Sequence, residues 1–308
     1  MLFRSLLEAH HALGQTLFCL GELTPARAHL EQSIALYDPP QHRPHAFRYG
    51  YDTRVGSLIY LACARWLLGY ADQALESVHD ALTQTQELAH PFSLAYALHF
   101  AAMAHELRGE ARAARERAEA ALRLSTEQGF PLWVAGGRIL RGWALAEQGQ
   151  GAEGLLRMRQ GVAAWGATGA RVLQPYYLAV LAEAHRKAGL ANEGLSVLAE
   201  ALDAGHRTGE RAREAELYRL KGELLLALSA ENHGEAEAYF RQALEVAHRQ
   251  SAKAWELRAV MSLSRLWQNQ GKREEARRML AEIYNWFTEG FDTADLKEAK
   301  ALLDELSQ

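Results

Sequence analysis

Gly149, Gly151 and Gly154, in the stretch "EQGQGAEG", stand at the G-x-G-x-x-G spacing of a dinucleotide phosphate cradle. Such a cradle works because glycines let backbone N–H groups close on a pyrophosphate at a helix start, and it requires a strand directly before it. The residues before Gly149, "ILRGWALAEQ", instead carry apolar side chains every three or four positions, as a helix does. The context is wrong for a nucleotide. Histidines are the next candidates: there are 13, including the pair His10-His11 and, in "QHRPH", His42 and His45. Neither H-E-x-x-H nor C-x-x-C occurs, and Pro39, Pro40 and Pro44 surround His42 and His45, so this stretch reads as a solvated loop and not a zinc site. No G-x-S-x-G offers a nucleophilic serine. Carboxylates abound in "REAELYR" and "GKREEARR", at the spacing of solvent-facing charges on amphipathic helices. These residues point to no enzyme, metal or cofactor.

The elements that must carry such residues follow from composition. The chain has 308 residues, 49% hydrophobic and 23% charged, enough to bury a large core. A net charge of −4 gives no basic surplus for nucleic acid or anionic lipid. Cys19 and Cys63 cannot frame a disulfide scaffold and read as small buried hydrophobes, which points to a reducing, cytoplasmic setting. No signal-peptide pattern and no 18-residue apolar run is present, so no membrane partner is expected. Alanine, leucine, glutamate and arginine dominate outside the segment holding those three prolines, and alternating stretches are missing. The chain reads as all-α.

Repeats then organise the helices. Small residues recur at Gly14, Ala62, Ala102, Gly142, Ala182, Gly222 and Ser264, with steps of 48, 40, 40, 40, 40 and 42. A second column holds Ala26, Ala74, Ala114, Gly154, Gly194, Ala236 and Ala276. Larger residues follow four positions on, at Leu30, Val78, Ala118, Met158, Leu198, Phe240 and Leu280, and a fourth column runs from Ser33 through Gly161 to Ile283. Each unit reads as helix, glycine turn, helix, the small residues admitting close approach of the two axes. A helix pair cannot bury its apolar face alone, so neighbours must stack. In this register Gly149 joins the turn glycines Gly21, Gly69, Gly109, Gly189 and Gly271, and Gly154 joins the packing column.

These columns, with "HHALGQTLFCLGEL" and "EAEAYFRQALEVA" as good examples of the two halves, resemble the tetratricopeptide repeat (TPR). The longer unit, together with "LYRLKGELLL" and "YNWFTEGFDTADLKEAKALLDEL", resembles the C-terminal TPR region of bacterial STAND-type ATPase and class III adenylate/guanylate cyclase signalling proteins. No G-x-x-x-x-G-K-[ST] occurs, so neither activity carries over. The resemblance implies an open right-handed α-solenoid of about seven TPR-like helix pairs over 1–290 and a capping helix over 291–308. It implies a non-catalytic interaction or regulatory module with a protein or peptide partner, upstream domains of a parent protein included. The alternatives are a sensor holding a small molecule or peptide in the concave groove and, from another class, an α/α-barrel enzyme.

In TPR arrays the first helix of each pair lines the groove. Positions six and three before the small column, and one and four after it, then point inward. They hold Cys63, Trp66, Tyr96, His99, Met103 and Trp143, followed by Tyr176, Glu183, Arg186, Arg219, Glu223, Arg258 and Arg265. That groove is aromatic at one end and charged at the other, and the carboxylate-clamp pattern of Lys and Asn is missing from it. The competing reading makes the aromatic residues core between repeats. In the tail, the last pair ends at Gly290, and Asp292 or Thr293 caps a helix through Leu306 whose stripe is Leu296, Ala299, Leu302, Leu303 and Leu306. No comparable cap precedes repeat one, which reads as a fragment of a longer chain or an end that meets a partner.

Overall fold

The computed structural model describes residues 2–308, and of residues 2–5 and 230 the backbone only. All regular structure among the described residues is helical. The chain divides into two compact units, residues 1–66 with 71–170, and residues 67–70 with 171–308.

The first unit is built on helix pairs α1 (Leu2–Cys19) and α2 (Leu23–Ala35), α5 (Thr53–Leu67) and α6 (Ala71–Leu88), α7 (Pro91–Leu107) and α8 (Ala111–Gln128), and α9 (Pro131–Glu147) and α10 (Gly151–Ala167). Two short helices, α3 (Pro39–His42) and α4 (His45–Tyr49), separate the first pair from the second. The second unit carries α11 (Gln174–Lys187) and α12 (Ala191–Thr208), α13 (Glu214–Leu228) and α14 (His233–Gln250), α15 (Lys253–Asn269) and α16 (Arg273–Tyr284), and a single last helix, α17 (Ala294–Leu306).

The small columns lie where two helices of a pair cross. A Cβ on Gly154 would fall 2.5 Å from the Gly142 carbonyl oxygen and 2.7 Å from the Ala146 nitrogen; one on Gly142 would fall 2.7 Å from the Gly154 carbonyl. Gly14 meets Leu30 and Gly222 meets Phe240 in the same way, small column against large. The apparent phosphate cradle is therefore a turn followed by a helix crossing. Gly149 takes φ +86° and ends α9, Gly151 opens α10 with free space around it, and Gly154 packs. A helix stands where the cradle needs a strand.

Turns between pairs hold a second left-handed column: Ala89, Gly129, Gly169, Gly209, Ser251 and Gly290, all at positive φ. A left-handed residue at a helix C-terminus lets the next backbone N–H groups satisfy the last carbonyls, which favours glycine. Proline at the start of α7 (Pro91) and α9 (Pro131) marks the following helix, where its missing N–H costs nothing.

Three expectations are corrected. The segment expected as a solvated loop is α3 and α4, with His42 and His45 buried. They are ties: His42 Nδ1 accepts from the Asp38 backbone N–H at 2.8 Å, and His45 Nδ1 meets Glu8 at 3.1 Å, with Thr53 donating to the same carboxylate at 2.8 Å. Nearby, buried His11 bridges Ser57 and Tyr51, at 2.9 and 2.8 Å. Second, Glu216 of "REAELYR", expected in solvent, is buried between two arginines. Third, the last pair stops at Tyr284, not Gly290, and an irregular stem leads to α17, whose N-cap Thr293 accepts from the Leu296 N–H.

Candidate functional site

In the first unit, α5 carries Cys63 and Trp66, α7 carries Tyr96, His99 and Met103, and α9 carries Trp143; all six are buried, at 8% exposure or less. Cys63, Trp66, Val78, Phe100, Met103 and Leu107 line an apolar cleft of about 10 Å³ between α5, α6 and α7. That is room for about one water molecule. Tyr96 and His99 pack against Trp133, ring centroids 5.1 and 5.2 Å away, and Trp133 in turn meets Trp165 at 6.3 Å. Burial lowers the His99 pKa to about 3, so its imidazole is neutral within the core. Trp133 is the hub that reading inward positions passed over; its signal was its place at the first turn of α9, directly after the Gly129 turn.

In the second unit the named residues form a polar wall across successive first helices. Tyr176 on α11 is buried beneath the Arg213 guanidinium, 4.0 Å from the ring centroid. Glu183 and Arg186 make a two-pronged pair, both bonds 2.8 Å. On α13, Glu216 grips Arg219 the same way, at 2.7 and 2.8 Å, and Arg258 of α15 reaches Glu216 at 3.3 Å. Ser262 joins the helices, receiving from Arg219 and donating to Glu223. Arg258 then bonds Asp295 at 2.7 Å, and Arg265 bonds Glu298, both on α17.

Burial alone would raise the carboxyl pKa values of Glu183 and Glu216. Their arginines outweigh it, the hydrogen bonds of Arg186 with the charges of Arg219 and Arg186 at Glu183, and the charges and hydrogen bonds of Arg219 and Arg258 at Glu216, so both are held below the usual range. Arg219 and Arg258 are correspondingly raised. These are charges kept on and matched, not acids and bases poised to exchange protons. Side-chain exposure rises from 13% at Arg219 and 19% at Arg258 to 30% at Arg186 and 40% at Arg265. The wall can therefore offer hydrogen bonds to a neighbour while each charge stays matched. Among the described residues, no group of three His, Cys, Asp or Glu could hold a metal ion, and no helix is long and apolar enough to cross a membrane.

Repeated helix pairs crossing at small residues define the class, an all-α TPR-like solenoid, and the comparisons agree. A solved Rap protein complexed with Competence and Sporulation Factor superposes with a TM-score of 0.59 at 15% identity, over 97% of this chain and 80% of that one. Aspartyl phosphate phosphatase F from Bacillus subtilis superposes with a TM-score of 0.57 at 11% identity, over 93% and 70%. Similarities this low in sequence speak to fold. No family model matches. In sequence, an uncharacterized protein of Rhizobium meliloti (strain 1021) is 26% identical over 261 residues, 84% of this chain. The chain spans about a quarter of that relative's length.

Proposed function

We propose that this chain is a non-catalytic interaction module whose first-helix wall receives a protein partner, and that it serves as the partner-binding part of a bacterial signal-transduction protein of the STAND-associated kind. The observation that carries the reading is the wall of α11 and α13. Glu183, Arg186, Arg219 and Glu223 are partly exposed, oriented by each other, and charged without net surplus. Charged side chains held rigid in matched pairs lose little entropy when a partner docks and can share their remaining donors and acceptors with it. Cys63, Trp66, Tyr96, His99, Met103 and Trp143 belong to this reading as buried packing within the first unit, and Tyr176 as buried packing within the second. The test is affinity capture from the native cell with the intact chain and with the Arg186→Ala/Glu223→Ala variant. One partner should be retained by the first and lost by the second, with helicity unchanged. A partner held equally by both defeats the assignment of the wall.

A second reading is a sensor for a small molecule or peptide, favoured by the cleft beside Cys63, Trp66 and Met103 and by a structural neighbour that is solved in complex with a factor. At about one water in size, the cleft must open to admit a ligand. Native mass spectrometry of the chain purified from its own cells tests this reading: a retained ligand supports it, and bare protein opposes it.

A further inference from the structure

The last helix is held by an apolar strip and two ion pairs. Each of α13 and α15 is packed from both sides along the array: α15 has α13 and α14 on one side and α16 and α17 on the other. For α17 the packing is on α15 and α16, and an irregular stem leads to it, with Phe287 buried in the same core, Trp286 beside Tyr70, Phe291 beside Tyr284 and a left-handed Gly290. Its contact is compact. Leu296, Ala299, Leu302 and Leu306 are buried against Leu257, Val260 and Met261 of α15 and Leu280 and Ile283 of α16. Beside this apolar strip stand two arginines one heptad apart on α15, Arg258 and Arg265, which take Asp295 and Glu298.

An element packed along one side and tethered by a loop opens at lower free energy than one clamped between neighbours. Opening α17 bares an apolar strip flanked by two guanidiniums, a surface with a definite complement. We propose that the face of α15 and α16 is a helix-recognition site which α17 fills in cis. Its partner in trans is an amphipathic helix from another protein, with carboxylates at i and i+3 and apolar residues at i+1, i+4, i+7 and i+11. That pattern is Asp295, Glu298, Leu296, Ala299, Leu302 and Leu306 transferred to another chain. The charge pairing chooses the occupant: the two arginines face acids now, and a helix with neutral or basic residues there would leave Arg265 unmatched and Arg258 with Glu216 alone, beside an apolar contact. α17 thereby sets a threshold, since a rival must outcompete a tethered helix at high local concentration. The seat meets the wall at Arg258 and Glu216, but its test alters neither Arg186 nor Glu223, so its failure and that of the wall are distinguishable.

The experiment uses the full chain and the Leu302→Asp variant, in which an aspartate cannot remain under the strip and α17 is dislodged. The probe is a fluorescent peptide of residues 291–308 with the native sequence, and a second peptide carries Asp295→Lys and Glu298→Lys. Fluorescence anisotropy should show the native peptide binding the variant at least about tenfold more tightly than the intact chain, and losing about tenfold on charge reversal. Equal binding to both chains, or equal binding of both peptides, overturns the proposal. Should Leu302→Asp fail to fold, hydrogen exchange on the unaltered protein decides. The amides of α17 should exchange together, earlier than those of α15, and faster at high ionic strength; exchange no earlier than α15 refutes a seat that opens.

Discussion

Gly154 offers a prediction whose sign can be worked from geometry, because its own helix supplies the control. Alanine is favoured over glycine inside a helix by about 1 kcal/mol. At Gly166, also in α10, a Cβ would meet nothing within 4 Å, so Gly166→Ala should stabilise by about 0.5–1 kcal/mol. At Gly154 the same methyl meets the Gly142 carbonyl oxygen at 2.5 Å and the Ala146 nitrogen at 2.7 Å. Both are backbone atoms, which cannot rotate away, so α9 and α10 must move apart. Overpacking of this kind costs about 1–3 kcal/mol, more than the propensity gain. Gly154→Ala should therefore destabilise by about 1 kcal/mol net, and Gly154→Leu by more. For a domain of this size each kcal/mol moves the midpoint by roughly 2–4 °C. Thermal melts of the two alanine variants should shift in opposite directions while NAD and ATP titrations stay featureless. A rise in midpoint for Gly154→Ala would refute the packing argument, and saturable nucleotide binding lost in that variant would restore the phosphate cradle.

Two further outcomes follow from backbone and protonation. Ala89 and Ser251 hold φ values of 49° and 56°, where a side chain is strained, so Ala89→Gly and Ser251→Gly should each raise stability by about 0.5–1 kcal/mol in urea titrations, against the usual direction for glycine. His11 and His99 have pKa values lowered by burial to about 4 and about 3, the nearby Glu8 opposing the shift at His11. The unfolded chain, with histidine at its ordinary value of 6.5, then binds more protons than the folded one between 6.5 and those values. Stability should accordingly be full above pH 6.5 and fall on acidification by about 1.4 kcal/mol per pH unit for each group. His99→Phe should remove one share of that slope, and an urea midpoint flat from pH 7 to pH 4.5 would contradict it. Below the ordinary carboxyl value of 4.5 a second loss begins at Glu183 and Glu216, whose depressed pKa values stabilise the fold only while both stay ionised.

The repeat was legible because its constraint is steric. Where Gly142 and Gly154 cross backbone to backbone no larger residue fits, and the column of small residues records it at each repeat. The left-handed turns between pairs were equally available in Gly129, Gly169 and Gly209, spaced by 40, but Ala89 and Ser251 break the run and hide it. Helices α3 and α4 were hidden for a different reason. "PPQH" and "HAFRY" are shorter than the period that reveals a helix, and their order comes from Glu8, Asp38 and Thr53, not from their own sequence. Glu216 misled because a charged residue on a helix usually faces water; what buries it is Arg258, 42 residues later and on the next first helix. Long-range pairs of this kind leave no local trace. The spacing offered Tyr96 and His99 as inward positions, while their packing partner Trp133 lies outside that register.

The matching of charges along the second unit also bears on how fast a partner can arrive. Glu183, Glu216, Glu223, Asp295 and Glu298 stand against Arg186, Arg219, Arg258 and Arg265, five negative and four positive, each within a few ångströms of an opposite charge. Opposite charges so closely interleaved cancel beyond about one screening length, roughly 8–10 Å in physiological salt. The wall thus casts almost no field into solution and cannot draw a distant molecule toward itself. Encounters should proceed at the unassisted rate of about 10⁵–10⁶ M⁻¹s⁻¹, nearly indifferent to ionic strength. Discrimination is then deferred to the moment of touch, and partners of this surface differ in how long they stay, not in how often they come.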